Sequence, residues 1–423
     1  MKSSELTVII AGQVAGTVVQ GHSGQLSFSY DASYGGIPLS LSMPVGNRIY
    51  GDKRVRPFLC GLLPDDPRVR RSTALEFGVS GNNPFALLTY VGLDCPGAIQ
   101  LCRPDAIQEA IERPGDTTPL SDEAIGARLR QGRTFSDAAW VSPSEHWSLG
   151  GQQSKFALRN VNGAWHSCSG AAATTHIFKC GISSLAHQAL NEYLCLKLAS
   201  ACGILSVQAD YREFATEPAI IVKRYDRETT AAGDVVRFHQ EDLCQALGVL
   251  PENKYPEYGG PSAIDVVRLL RQSGRHASSN INRFTAMLFF NYLIGALDAH
   301  AKNYSLLLGD GGEARLAPLY DVASALPYKR SHDKWRIAMS IGGENRLGRV
   351  GRNAVARFAE NAGLPVEDCV ALMATLAEII PMQFNAVVAE AKEQEALCEA
   401  VAELQDRWEK PLTDFCKQTL SSL

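Results

Sequence analysis

Although the chain holds eleven cysteines, scattered from Cys60 to Cys416, it contains no C-x-x-C pair. Neither a zinc site nor a disulfide framework is signalled, and most of these thiols are expected as small buried hydrophobes. Positive charge is not in excess: the formal net charge is -4, which argues against coating nucleic acid or membrane by bulk electrostatics. No uninterrupted apolar stretch has membrane-spanning length, and Met1 to Val8 lacks the basic start and apolar run of a signal peptide, so a cytoplasmic location is expected. A G-x-S-x-G elbow is missing, which removes the serine-hydrolase reading, and the nine scattered histidines show no metal-ligand spacing. Also missing are G-x-x-x-x-G-K-[ST] and the usual Gly-rich kinase loop, as are internal repeats and low-complexity segments. What remains is a globular composition, 45% hydrophobic and 20% charged, in a length of 423 residues that suggests two or three domains.

Residues 6 to 43 alternate apolar and polar positions, in Leu26, Phe28 and Tyr30 and again in Leu39, Leu41 and Met43, with glycine-rich breaks; this predicts a small antiparallel sheet. After Leu63-Pro64-Asp65-Asp66-Pro67 the pattern turns helical, and the β-rich unit is expected to span 1-102. Residues 103-147 read as a polar linker and the start of the next lobe, with a short helix over Asp122 to Arg130 that Ser121 caps. From 148 to 240, strand-like runs at Phe156 to Arg159, Thr175 to Lys179 and Ile220 to Tyr225, with one helix at Ala189 to Leu198, fit a kinase-like N-lobe. Helices dominate 241-423, and Phe284 to Leu297 is apolar almost all round, the mark of a buried helix. The expected class is α+β.

Asp298-Ala-His-Ala-Lys-Asn303, followed by Tyr320-Asp321, is the most informative stretch. A carboxylate, an Asn five residues on and a second Asp beyond are what phosphoryl transfer requires, because that reaction asks for positioning and charge neutralisation rather than covalent chemistry. Asp298, at the end of the apolar helix, is placed to take a hydroxyl proton; Asn303 and Asp321 offer hard oxygens to Mg²⁺. Any one of these residues alone reads as a helix or turn cap. Lys179 ends a strand-like run, as a phosphate-pairing lysine should, and Glu192 in the next helix is a candidate partner for it. In the loop position stands Ser148-Leu-Gly-Gly-Gln-Gln-Ser-Lys155, whose glycines admit backbone N–H groups to a phosphate and whose lysine adds charge, though Gly-Gly alone more often marks a plain turn.

Together these residues resemble the HipA toxins of bacterial type II toxin–antitoxin systems, which are serine/threonine kinases. The resemblance runs through Leu39 to Pro44, Leu62 to Asp65, Asn83 to Phe85, Ser148 to Lys155, Thr174 to Lys179, Asn191 to Tyr193, Lys223 to Asp226, Gln240 to Asp242, Asp298 to Asn303 and Tyr320-Asp321. It implies a small N-terminal β-rich subdomain followed by a bilobed kinase-like fold with a mostly helical C-lobe. It implies Asp298 as the base and Asn303 and Asp321 as Mg²⁺ ligands. It further implies ATP contacts from Gly150, Gly151, Gln152, Gln153, Ser154, Lys155 and Lys179, from the hinge Lys223, Arg224 and Tyr225, and from His300, Lys302, Asn303, Tyr320 and Asp321. Ser148 matches the serine that family members autophosphorylate, expelling the phosphate-binding loop and silencing the kinase. The family's partners are a HipB-like helix-turn-helix antitoxin, operator DNA mainly through that antitoxin, and a protein target that is an aminoacyl-tRNA synthetase. Three departures stand out: Ala299 replaces a glycine, Gln152 and Ser154 replace Ala and Glu, and Lys223 replaces Glu. Lys329, Arg330, Lys334, Arg336, Arg346, Arg349, Arg352 and Arg357 form a basic run suited to an acidic target, tRNA or DNA, or else to a solvated face paired with its own carboxylates. A kinase-like corepressor without catalysis is the rival reading, and three retained chemical groups speak against it.

Overall fold

The computed structural model describes residues 4–46, 48–113, 115–328 and 335–423. By internal contacts the chain forms two units that interleave along the sequence: residues 1–180, 212–253 and 305–315 in the first, and 181–211, 254–304 and 316–423 in the second.

The first unit opens with a five-stranded antiparallel sheet in the order Ile49–Tyr50, Leu26–Tyr30, Gln13–Gln20, Ser4–Ile10, Ile99–Cys102. Alternation puts Leu6, Val8, Ile10, Val18 and Phe28 on the inner face, where helices Asp52–Gly61 and Pro84–Val91 cover them with Phe58 and Leu88. Leu39 to Met43 departs from its expected strand. Met43 N–H closes on Ser40 O at 2.9 Å and Ser42 N–H on the Ser40 hydroxyl at 3.0 Å, so the segment is a tight turn between Pro38 and Pro44. Serine hydroxyls satisfy this backbone locally, and the flanking prolines withhold ladder donors.

A second sheet of six strands runs Ala209–Phe214, Glu217–Lys223, His176–Lys179, Lys155–Val161, Ala164–Cys168, Thr117–Pro119. The segment expected as a linker thus supplies an edge strand, where Pro119 is tolerated, and a helix, Asp122–Thr134, that Ser121 caps through Ala124 N–H at 3.3 Å. Its exposed face made the segment polar; Ile125 and Leu129 point inward, and Gly126 lets the helix approach Phe214, whose carbonyl would lie 2.4 Å from an added Cβ. Phe156, Phe178 and Phe214 join the same hydrophobic cluster as Phe28 and Phe58, so no break in the core falls at residue 102. A third sheet of this unit orders Gln240–Asp242, Ser305–Leu308 and Ala314–Leu316.

The second unit is helical: Gln188–Ala201, Ala263–Leu270, Ala277–Leu293, Arg352–Ala362, Val366–Lys392 and Cys398–Ser422. Local chemistry sets these boundaries. Ser262 and Asp265 form a capping box, and Gly363, at φ +58°, ends Arg352–Ala362 in the left-handed conformation. Val366–Lys392 is long and apolar enough by composition to cross a membrane. Its buried positions, Cys369, Val370, Met373, Leu376, Ala377, Ile380, Phe384, Val387 and Val388, recur at helical spacing and pack on the neighbouring helices, as in a core helix. Cys60 and Cys202 are partly buried and Cys398 is exposed; the other eight cysteines are buried, and all eleven are free thiols.

Candidate active site

In the second unit, Asp298 does not end the apolar helix, which stops at Leu293. Gly295, at φ +66°, turns the chain, and Asp298 stands in the following turn with its side chain 74% exposed. His300 N–H donates to Asp298 O at 2.8 Å and Asn303 N–H to His300 O at 2.9 Å, which winds 298–303 into a compact turn. The Asn303 amide nitrogen donates to the main-chain carbonyls of Asp298, at 2.8 Å, and Asp321, at 3.4 Å. One side chain thus ties together the three positions that the spacing singled out. Its nitrogen is committed to these two carbonyls, which fixes the orientation of the amide. Asp321 is a non-glycine residue at φ +55°, a strained backbone of the kind that surrounding structure maintains at functional turns. Tyr320 braces the same turn by donating its hydroxyl to Lys302 O at 2.8 Å. His300, Lys302 and Asn303 are buried. Ala299 lies outside the left-handed region, so the family's glycine is not needed there for its backbone.

Among the described residues no three His, Cys, Asp or Glu side chains cluster as a self-sufficient metal cage. An Asn–Asp oxygen pair is instead the donor set that suits Mg²⁺ shared with phosphate oxygens and water.

In the first unit, strand register pairs Lys155 with Lys179 and Phe156 with Phe178. The two lysines therefore share one face of the sheet, next to Ile220 opposite Lys179, while the phenylalanines stack at 5.2 Å on the other. Both lysines are buried. Lys155 Nζ donates to Gly150 O at 3.1 Å and lies 5.5 Å from the Trp140 ring centroid. Gly151 adopts φ +100°, and its carbonyl accepts from Asp65 N–H at 2.7 Å. Gln152 is exposed, whereas Gly150, Gln153 and Ser154 are half-buried. A cavity of about 440 Å³ opens beside Ser154 and Lys155, lined by Arg128, Trp140, Phe156 and Phe178. It lies toward the phenylalanine face.

Ser148 is buried, its N–H on Asp94 O at 3.1 Å and its hydroxyl on Cys95 Sγ at 3.3 Å. Burial pushes the Cys95 thiol up to about 12, so it stays a neutral partner. Of the expected hinge, Lys223 is exposed and the Tyr225 hydroxyl donates to Gln240 Oε1 at 2.7 Å. The Arg224 guanidinium turns inward and is buried.

That inward turn belongs to a buried ion cluster which the sequence did not announce. Arg224 reaches Asp226 at 2.9 Å and Asp94 at 3.3 Å; Arg227 reaches both carboxylates at 2.9 Å; Arg237 reaches Asp94 at 3.3 Å. Thr174 adds its hydroxyl to Asp94 at 2.7 Å. Burial alone would raise the Asp94 carboxyl, but Arg227, Arg224 and Arg237 outweigh it and hold the group well below the usual carboxylate range. The cluster anchors Asp94, and Asp94 pairs with Trp147 beside Ser148. Sequence spacing gave no signal for it, since its members lie up to 143 residues apart.

Lys329, Arg330 and Lys334 of the basic run lie outside the described residues. Arg346 chelates Glu344 and Arg352 pairs with Glu367, so two members of the run have carboxylate partners of their own, while Arg357 donates to the main-chain Gly342 O. Tyr255 was not foreseen: its hydroxyl donates to Asp298 Oδ1, 43 residues away in sequence, and no motif surrounds it.

A β-rich N-terminal part, lysines on one sheet face and an Asp–Asn–Asp set on a helical scaffold define an α+β protein of kinase-like fold. Residues 147–384 match the model of the HipA-like C-terminal domain, and residues 6–102 match that of the HipA N-terminal domain. The chain belongs to the HipA family of serine/threonine kinase toxins. It is 36% identical over 361 residues to Y4mE of Sinorhizobium fredii, which is named as a kinase, covering 84% of each chain. It is 27% identical over 372 residues to the serine/threonine-protein kinase toxin HipA of Shewanella oneidensis, covering 85% of this chain and 83% of that one. A solved complex of Shewanella oneidensis HipA, HipB and operator DNA matches with a TM-score of 0.83 at 24% identity, over 98% of this chain and 97% of that chain. That likeness establishes the fold.

Proposed function

We propose that the chain transfers the γ-phosphoryl group of Mg-ATP to a serine or threonine hydroxyl of a protein target. The observation that carries this reading is the Asn303 amide, which gathers Asp298, Asn303 and Asp321 into one turn-built cluster. Asp298 takes the hydroxyl proton as the oxygen–phosphorus bond forms, the β,γ-bridging bond breaks and ADP leaves. Mg²⁺, held by Asn303 and Asp321, supplies charge neutralisation when bound; Lys155, Lys179 and the Gly150–Gly151 backbone take the phosphates, and Lys223 to Tyr225 meet the base.

Ser148 is the proposed self-phosphorylation site. Buried against Cys95, it has no room for a phosphate, so modification requires the 147–151 segment to leave its place, which removes the loop from the nucleotide. Family membership supports a HipB-like helix-turn-helix antitoxin as partner, operator DNA through it, a cytoplasmic site of action and an aminoacyl-tRNA synthetase as target.

The test is incubation of unphosphorylated protein with Mg-ATP followed by mass spectrometry on wild type, Asp298→Asn and Ser148→Ala. Wild type gains phosphate on Ser148, Asp298→Asn gains none, and Ser148→Ala keeps activity toward a target without silencing itself. A wild type that neither binds ATP nor gains phosphate sinks the catalytic reading and leaves the corepressor one.

A further inference from the structure

We propose that Tyr255 is the positioning residue of the base: its hydroxyl holds Asp298 Oδ1 and thereby presents Oδ2 to the acceptor hydroxyl. The inference rests on the kinase reading above. An aspartate with 74% of its side chain exposed has open rotamers, yet a base must sit within hydrogen-bond reach of the proton it removes. Rotation of a lone carboxylate in water disperses that geometry.

Tyr255 supplies the missing constraint, and it is itself held. Its carbonyl accepts from Tyr258 N–H and Gly260 N–H, both at 3.0 Å, with Gly259 at φ +82° closing the loop. Its ring meets the buried His300 ring edge-on, centroids 4.9 Å apart at 85°. Lys254 Nζ lies 5.6 Å from the same ring. Main chain and ring are thus fixed on two sides, which aims the phenolic O–H at Oδ1. His300 Nε2 stands 3.9 Å from that oxygen, beyond hydrogen-bond distance. A carboxylate has about four lone-pair sites, so a donor on Oδ1 leaves Oδ2 able to accept from a substrate. A tyrosine does this at low entropic cost, because only two side-chain torsions must be fixed.

The experiment uses the full chain as wild type, Tyr255→Phe, Tyr255→Leu and Asp298→Asn. It reads single-turnover transfer from radiolabelled Mg-ATP at saturation, into the chain itself and into dephosphorylated casein, alongside affinity for a non-hydrolysable ATP analogue. Tyr255→Phe keeps the ring on His300 and loses only the donor. Its saturating rate falls roughly ten-fold or more, while analogue affinity and thermal midpoint stay at wild-type values. Tyr255→Leu is no slower than Tyr255→Phe beyond roughly two-fold, because the hydroxyl and not the ring carries the role. An unimpaired Tyr255→Phe with a slow Tyr255→Leu overturns the proposal in favour of simple packing. So does a Tyr255→Phe loss that appears in analogue affinity and not in rate. Active wild type, inactive Asp298→Asn and unimpaired Tyr255→Phe remove only the role of Tyr255; a wild type as inactive as Asp298→Asn removes the kinase reading and this proposal with it.

Discussion

Glu241 is fully buried beneath the Leu39–Met43 turn, where Oε1 accepts from Leu41 N–H at 2.8 Å and Oε2 has no partner. Burial pushes its carboxyl from an ordinary 4.5 up to about 8, against the smaller opposing pull of the Leu41 and Ser40 hydrogen bonds. The native state therefore holds a proton that the unfolded chain releases above 4.5. Stability from this group is fully present below that value and is lost as pH rises toward 8. At 1.36 kcal/mol per pH unit, the loss relative to a permanently neutral side chain is about 1 kcal/mol at pH 5 and about 3 kcal/mol at pH 7. Glu241→Gln keeps the shape and an acceptor for Leu41 while removing the titration. Its stability relative to wild type should rise by about 2–3 kcal/mol between pH 5 and pH 7, measured by urea unfolding across that range. His176 and His239, both lowered to about 4 by burial, pull the other way below pH 6.5, since their contribution is lost as pH falls. Both are present in each protein, so they cancel in the difference. A difference flat to within about 0.5 kcal/mol would refute a neutral buried Glu241.

Asp94→Asn leaves the Arg224 and Arg227 guanidiniums buried with one carboxylate fewer, and should cost about 3–5 kcal/mol in chemical denaturation; a loss below about 1 kcal/mol would mean that water enters the cluster. Gly151→Ala places a Cβ at φ +100°, 2.6 Å from Lys155 Nζ, and should lower stability by about 1–3 kcal/mol. Because the ammonium must leave Gly150 O, nucleotide affinity should fall as well, read by titration with an ATP analogue; unchanged affinity would dissociate the loop from phosphate binding.

Much of this protein was legible as pattern. Alternation at Leu26, Phe28 and Tyr30 gave a strand because one face meets a core, and Asp298, Asn303 and Asp321 stood out by residue type and spacing, three positions that the Asn303 amide ties together in the fold. Failures occurred where local chemistry competed with pattern. Leu39, Leu41 and Met43 alternate like a strand, but Ser40 and two prolines make a turn. The polar stretch after Arg103 looked like a linker because its helix shows water a polar face, and only its inward Ile125 and Leu129 reveal packing.

The matches that carried the family resemblance acquire physical meaning in three dimensions. Asn83 caps Pro84–Val91, Asp65 N–H holds the Gly151 carbonyl, and the Leu39–Met43 turn covers Glu241 while its serine hydroxyls reach Gln245 O. By itself the sequence determined the family, because the residues that carry the resemblance lie in short ordered motifs, such as Asp298 to Asn303 and Tyr320-Asp321, that are readable without a fold. Tertiary structure alone decided which groups support them: Tyr255 on Asp298, Asp94 among three arginines, Ser148 sealed beside Cys95. Such contacts join residues tens to more than a hundred positions apart, and charge pairing, burial and hydrogen-bond direction exist only once the chain has folded.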